Sequence, residues 1–473
     1  MVIKNTQNIR VLVILFFGIL ISAVFISSFF NNNLFLLLFA IIVLAISYIP
    51  FSLKNTNIFS IWSWIFYSVI LGVFLRSVYL IFELADINIL REVFLREKEI
   101  IDFVYPSILI LISFVTLILG YLSCKKKYII KNFNFLNNEW NKNRYIQITL
   151  ILLIISYLSL YFFVQSNGGF LSGIISAARG VSDTLQDTNP QGYLRLLSSL
   201  GFINIFLTLS WLKKSKKLKL YSLLIFILSL IGFLTFNFFV SQRGSVVFVF
   251  AQIVAFNYYT SKNKISVKSL VIFAFIALSL FEIMSIFRYN KEFDVNNIGF
   301  SVIKKFEPAI LTISFIDVSK TAHIIDAVPK KLPYAFGSTY ITFLYAPIPR
   351  SIWKSKPVVN VDNIVGQKVY GSKYFGAGGT PAGLIAEAYW NFWLFGILII
   401  PFMIGYILKY IENTFLYYKN KINVIIIYIT CFMFLGLSFM GSSFSSTIVV
   451  FLKLFLPILF ILIYISKQKY VKR

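Results

Sequence analysis

Six ionisable side chains interrupt long apolar stretches of this chain: Arg76, Arg243, Glu282, Arg288, Glu387 and Lys453. A charge in such a place costs about 3 kcal/mol at mid-span, so each one points to a function. Four cations and two carboxylates suit chemistry on an anion. Fixed cations neutralise charge that grows on a leaving group, and a carboxylate takes up a proton. Placed on their apolar runs, all six fall towards the same side of the expected membrane. Arg76 and Glu282 lie about six residues from that end, or about 9 Å at 1.5 Å per residue. No comparable group is expected in the other half. Arg76 and Lys453 can also be read as snorkelling to the interface, which does not account for Glu282 and Glu387. Glu282 shares a helical face with Ser279, Ser285 and Tyr289 and not with Arg288, so it reads as structural or as a partner for an Arg on another helix.

Two polar segments add to this set. Ala346–Pro357 reads Ala-Pro-Ile-Pro-Arg-Ser-Ile-Trp-Lys-Ser-Lys-Pro and presents Arg350, Lys354 and Lys356 between proline corners, with Trp353 among them. Arg binds phosphate bidentately and Lys adds a point charge. The plain alternative is a headgroup-binding patch without catalysis. Gly376–Gly383 then leads into an apolar run. Thr380 is expected to cap that helix and Pro381 to occupy its first turn. Its N-terminus, with glycines that permit close approach, would attract an anion. A flexible loop before a helix would look the same.

The elements that must hold these groups follow from composition. The chain has 473 residues, 58% apolar and only 13% charged. Soluble domains carry about 25% charged residues, so a soluble enzyme and a disordered scaffold are both excluded. Apolar runs near 11–31, 34–51, 58–82, 105–123, 146–165, 193–212, 220–240, 246–260, 269–288, 384–408, 422–440 and 447–466 predict about twelve membrane-spanning helices,. The fold class is therefore all-α, a polytopic membrane protein forming a single transmembrane domain over 1–473. With the N-terminus inside, the inner loops hold 24 Lys and Arg against two acids, Glu139 and Glu412. This positive-inside bias predicts cytoplasmic termini in a cell (inner) membrane. The net charge of +26 thus has a membrane cause and implies no nucleic-acid partner,. Segment 289–383 becomes one long outer loop, too long to be an idle turn. Cys124 and Cys431 have no metal spacing, so neither a zinc site nor a disulfide is expected. The N-terminus lacks a small-residue cleavage site and reads as a retained first span.

At these residues the chain resembles the Wzy-type O-antigen polymerases, the oligosaccharide repeat unit polymerases. The likeness rests on Ile348–Pro357 and on Gly383-Leu-Ile-Ala-Glu-Ala-Tyr-Trp-Asn-Phe392. Ser241-Gln-Arg-Gly244, Phe287-Arg288, Gly168-Gly169 and Arg179-Gly180 are also similar. It is strongest over about 235–410. One departure is Gly441-Ser-Ser-Phe-Ser-Ser446, where an Arg-Gly element is expected; Lys453 could replace it.

The resemblance implies a GT-C-like, metal-independent glycosyltransferase with no cofactor. It would move a growing glycan from polyprenyl diphosphate to a fresh lipid-linked repeat unit, in O-antigen, capsule or exopolysaccharide (lipopolysaccharide-type) biosynthesis of the cell envelope. Its partners would be polyprenyl-diphosphate-linked (undecaprenyl-type) oligosaccharides, the bilayer and a chain-length-regulating co-polymerase. For the diphosphate the candidates are Arg243, Arg288 and Arg350, then Lys354, Lys356 and Arg179. For the base they are Glu387 and the only histidine, His323, which stands three residues before Asp326. A structural histidine, and a Glu387 that pairs with one of the Arg groups, are the bland readings. Arg288 also counts as catalytic, since it would meet the developing charge. Tyr340, Tyr345, Trp353 and Tyr389 are candidate sugar platforms, with Tyr370, Tyr374 and Trp390 behind them. An O-antigen ligase, differing in acceptor, and a lipid-linked oligosaccharide flippase, of another class, are the alternatives.

Overall fold

Membrane-length apolar runs coil into helices because hydrocarbon gives backbone groups no partner but one another. The computed structural model describes residues 32–52, 56–82, 103–127, 139–169, 191–215, 218–240, 242–261, 318–348, 352–357, 361–369 and 381–466, with isolated positions from 275 to 316. Among these residues every regular element is helical, and one isolated bridge joins Trp140 to Ser466. The helices are α1 (Asn32–Tyr48), α2 (Ile61–Val69), α3 (Arg76–Phe82), α4 (Val104–Ser123), α5 (Lys142–Ser166), α6 (Gln191–Ser198), α7 (Gly201–Lys214), α8 (Lys219–Phe239) and α9 (Arg243–Thr260). Then come α10 (Val318–Ala327), α11 (Ser338–Tyr345), α12 (Val361–Lys368), α13 (Gly383–Tyr418), α14 (Ile422–Ile427), α15 (Leu435–Gly441) and α16 (Phe444–Ile465). Wider π-type turns at Ile70–Leu75 and Tyr428–Phe432 link α2 to α3 and follow α14.

Nine segments among the described residues are long and apolar enough to span a membrane, and Gly244–Thr260 is a shorter apolar helix. These ten coincide with ten of the twelve expected runs. The run at 11–31 and nearly all of 269–288 lie outside the described residues.

The expected inner connections do meet on one face. Asn141 N donates to Ile465 O at 2.8 Å and Trp140 Nε1 to Asn423 Oδ1 at 2.9 Å. Tyr259 Oη contacts Asn57 Oδ1 at 3.0 Å, and Lys213 Nζ donates to Ser261 Oγ at 3.0 Å. So residues around 57, 141, 213, 261, 423 and 466 share a basic face. The opposite face carries α10, α11 and the start of α13, and is called the loop face below.

The central pair is α4 with α13, which run parallel. Tyr105 faces Tyr389 near one end, and Tyr121 faces Glu412 near the other. Glycines let the backbones touch, as small residues do between membrane helices. A Cβ on Gly120 would stand 2.0 Å from Phe402 O, and one on Gly405 2.1 Å from Leu117 O.

Three expectations change here. The run at 384–408 does not end the helix, which continues to Tyr418. Glu412, placed above in an inner loop, and Lys409, one of the 24 inner-loop cations counted there, are buried at 1% and 7% exposure and form an ion pair at 3.6 Å, with Tyr121 donating to Glu412. The half towards the basic face therefore does hold buried charge, stabilised because each ion has a partner. The start of α13 also differs. It begins at Gly383, with Ala382 as a cap residue that makes no side-chain bond, and Gly383 adopts φ 73°. Pro381 precedes the helix, and Thr380 lies outside the described residues. The reason is contact: a Cβ at Gly383 would meet Met440 O at 2.6 Å, so the helix start is packed against α15 and is buried. Finally, Arg76 is only 1% exposed and lies inside the protein, which excludes snorkelling.

Part of the long loop is built into the bundle. Ile316 N donates to Ser68 Oγ on α2 at 3.0 Å. Eight of the ten residues of α10, including Lys320, are buried. An amphipathic segment with so much of its surface covered is packed as a helix among helices and not draped over them.

Candidate functional site

Glu387 lies one turn into α13 and is fully buried. A buried carboxylate survives only when its oxygens are satisfied. Oε1 accepts from Thr339 Oγ1 at 2.7 Å, and Oε2 accepts from Phe444 N at 2.7 Å. The second donor is the first residue of α16, so the carboxylate faces a helix N-terminus, where the dipole favours negative charge. Asn391 lies one turn further along α13. Its Nδ2 donates to Thr339 Oγ1 at 2.7 Å and to Glu387 O at 2.8 Å, while its Oδ1 accepts from Gly337 N at 2.8 Å. Ser445 Oγ donates to Thr339 O at 2.5 Å. One knot thus fastens α11, α13 and α16 together. Among the described residues the hydrogen-bond partners of the Glu387 carboxylate are neutral donors; the side chains of Arg243, Arg288 and Arg350 lie outside them.

The helix breaks just past this knot. Phe392 and Trp393 leave helical geometry, Trp393 at φ 51°. Trp390 Nε1 donates to Pro333 O at 2.8 Å, and Ala335 N to Trp390 O at 3.0 Å. The loop around 333–339 clamps the first turns of α13 above the break.

Around the knot lie more ionisable groups. Burial pushes the Asp362 carboxyl up; a hydrogen bond from Ser443 and the charge of buried Lys320 oppose this. Ser443 immediately precedes α16, without a side-chain bond to its main chain, so Asp362 and Glu387 flank the same helix start. His323 stands on α10, one turn after Ser319. Its Nδ1 lies 2.8 Å from Ser319 O, which fixes the tautomer with the proton on Nδ1 and the lone pair on Nε2,. The 323/326 spacing suggests that Asp326 orients the ring; the Ser319 carbonyl holds Nδ1, and Asp326 forms an ion pair with Lys330 at 3.7 Å.

The cationic set divides. Arg179, Arg288 and Arg350 lie outside the described residues, as does Glu282. Arg243 opens α9, with the description extending to its main chain alone. Lys354 is exposed. Lys356 Nζ donates to Ala346 O at 2.9 Å and Ile348 O at 2.8 Å, so its ammonium holds the proline corner after α11.

The platforms divide too. Tyr345 and Trp353 meet edge-on at 5.9 Å, and Trp353 is 37% exposed, so this pair can face a ligand. Tyr340 is interior: it stacks on Phe392 at 6.1 Å and meets Phe444 at 5.0 Å. Burial, then the charge of Glu387, hold its hydroxyl well above the ordinary phenol range. Tyr389 lines a cavity with Tyr105. Trp390 is buried, and Tyr370 and Tyr374 lie outside the described residues.

Reasoning from sequence missed Thr339, Asn391, Ser443, Asp362, Lys320 and Arg195. Arg195 on α6 stacks over Phe163 at 5.2 Å and lies within electrostatic reach of Lys453 on α16. Neutral hydroxyls and amides carry no mark in a hydropathy scan. Lys320 was legible as the one cation in Val318–Ala327, a short apolar stretch inside a nominal loop.

The sequence was compared with known proteins. Over residues 11–473 it matches the profile of the family described as O-antigen polysaccharide polymerase Wzy, and the chain belongs to that family. Neither curated proteins nor solved structures provide a match.

Proposed function

From that membership and the buried knot at the loop face, we propose that this protein is a lipid-linked oligosaccharide polymerase of the glycosyltransferase class. It works in the cytoplasmic membrane with the loop face outward and both termini inside, in a twelve-helix, GT-C-like frame. The donor is a glycan on polyprenyl diphosphate, and the acceptor is a hydroxyl of a fresh lipid-linked repeat unit. The acceptor oxygen bonds to the donor's anomeric carbon, the carbon–oxygen bond to phosphate breaks, and polyprenyl diphosphate leaves with the electron pair. Arg243, Arg288 and Arg350, with Lys354 and Arg179, meet the growing negative charge without a resident metal.

His323 takes the acceptor proton on Nε2, a role supported by its anchored Nδ1–H,. Glu387 serves as a positioning residue, because both of its oxygens already accept ordered donors. The observation that carries the reading is this convergence of α11, α13 and α16 on one buried polar knot at the loop face, with Lys320 of α10 acting on the neighbouring Asp362. The test is chain growth by purified protein from lipid-linked repeat units without added metal, alongside a cell-based assay. Arg350→Ala is expected to abolish polymer while single units are still exported. Units held at the inner face would instead favour a flippase. Full polymer from His323→Gln would remove it as the base and return that role to Glu387.

A further inference from the structure

We propose that the cavity between α4, α10 and α13 binds the acceptor glycan, as a neutral sugar segment with adjacent hydroxyls. This rests on the reading of the protein as a glycan polymerase. The cavity has a volume of about 490 Å³ and opens beside Tyr105, Tyr389, Asp326, Lys330 and Pro106. Small-molecule sites occupy roughly 300–1,000 Å³, so it has room for a short stretch of glycan.

Its chemistry is that of carbohydrate recognition. A pyranose has apolar C–H faces and a rim of hydroxyls. The rings of Tyr105 and Tyr389 stand at 76° with centroids 6.5 Å apart, so that Tyr105 offers an open aromatic face and Tyr389, 5% exposed, closes the corner behind it. Their hydroxyls are 3.4 Å apart and point to one locus. Tyrosine supplies an apolar face and a polar tip together. Asp326 and Lys330 add an acceptor and a donor side by side, 3.7 Å apart and partly exposed at 38% and 75%. A carboxylate next to an ammonium selects an uncharged partner, since either ionic ligand meets one like charge.

Position assigns the site to the acceptor. Tyr389 is two residues from Glu387 on α13, and Asp326 is one turn from His323 on α10. The cavity therefore shares its polar walls with the helix that carries the proposed base and the helix that carries the positioning residue Glu387. Tyr105 is 49% exposed, and on a helix that otherwise packs closely against α13 this leaves its ring available to a ligand.

The experiment uses the full-length protein in nanodiscs and the repeat-unit oligosaccharide released from its lipid carrier. Binding is read by saturation-transfer NMR, and acceptor KM and kcat from polymer formation. The wild type should bind saturably. Tyr105→Ala should weaken binding about tenfold, equivalent to about 1.4 kcal/mol, and raise the acceptor KM with kcat little changed. Tyr105→Phe should fall between the two, and Asp326→Asn should weaken binding several-fold. The proposal is overturned if the wild type does not bind, if the variants bind as tightly as it does, or if polyprenyl phosphate in vesicles displaces the sugar completely. Tyr105-dependent binding without polymer would count against the polymerase reading while leaving the sugar site standing.

Discussion

Replacing Glu387 by Gln isolates the role of the knot, because the side chain keeps its size and loses its charge. Phe444 N cannot turn away, so the Gln carbonyl must accept from it. The Gln amide then points at Thr339 Oγ1, which already accepts from Asn391 Nδ2 at 2.7 Å. Thr339 can accept a second donor, but its own proton, now bonded to Glu387 at 2.7 Å, is left without an acceptor in a buried place. Such an orphan costs about 1–3 kcal/mol. Loss of negative charge at the start of α16 adds about 0.3–1 kcal/mol. The expected total is thus about 1–4 kcal/mol. Thr339→Val removes the same hydroxyl from the other side, so the double variant should be less destabilised than the two singles summed, with a coupling of about 1 kcal/mol or more. Thermal unfolding in detergent measures all four proteins. Limited proteolysis across 333–345 should show that segment opening in both single variants. If Glu387→Gln unfolds with the wild type, or the cycle is additive, Glu387 does not organise these three helices.

Two other perturbations probe the frame that holds the site. Gly405→Leu places a side chain where even a Cβ would lie 2.1 Å from Leu117 O, so α4 and α13 must separate; reduced yield of folded protein in detergent gel filtration is expected, and Gly232→Ala, whose Cβ meets only the Tyr157 side chain at 3.1 Å, should be far milder. Lys409→Met leaves Glu412 buried without its ion-pair partner and should cost about 3–5 kcal/mol, whereas Lys409→Met with Glu412→Leu should recover most of that loss,; a double variant no more stable than the single would show that the pair itself is required.

The sequence alone determined the class of the protein and the order of its spans. Apolar runs of membrane length have one stable backbone solution in lipid, and their flanking lysines sort the connections to one face. It also marked Glu387 as exceptional, because a lone carboxylate in an apolar run is visible without a structure. What Glu387 touches was decided only by tertiary packing. Thr339 lies 48 positions before it and Phe444 N 57 after it, and neither group has a signature that a linear scan could weigh. The same holds for Lys409 and Glu412, which read as loop charges until α13 continued past them against Tyr121. Local pattern records whether a residue prefers lipid or water. It cannot record a partner supplied by another helix, and for buried polar groups that partner settles whether a charge is a loop residue, a lock or a reactive group.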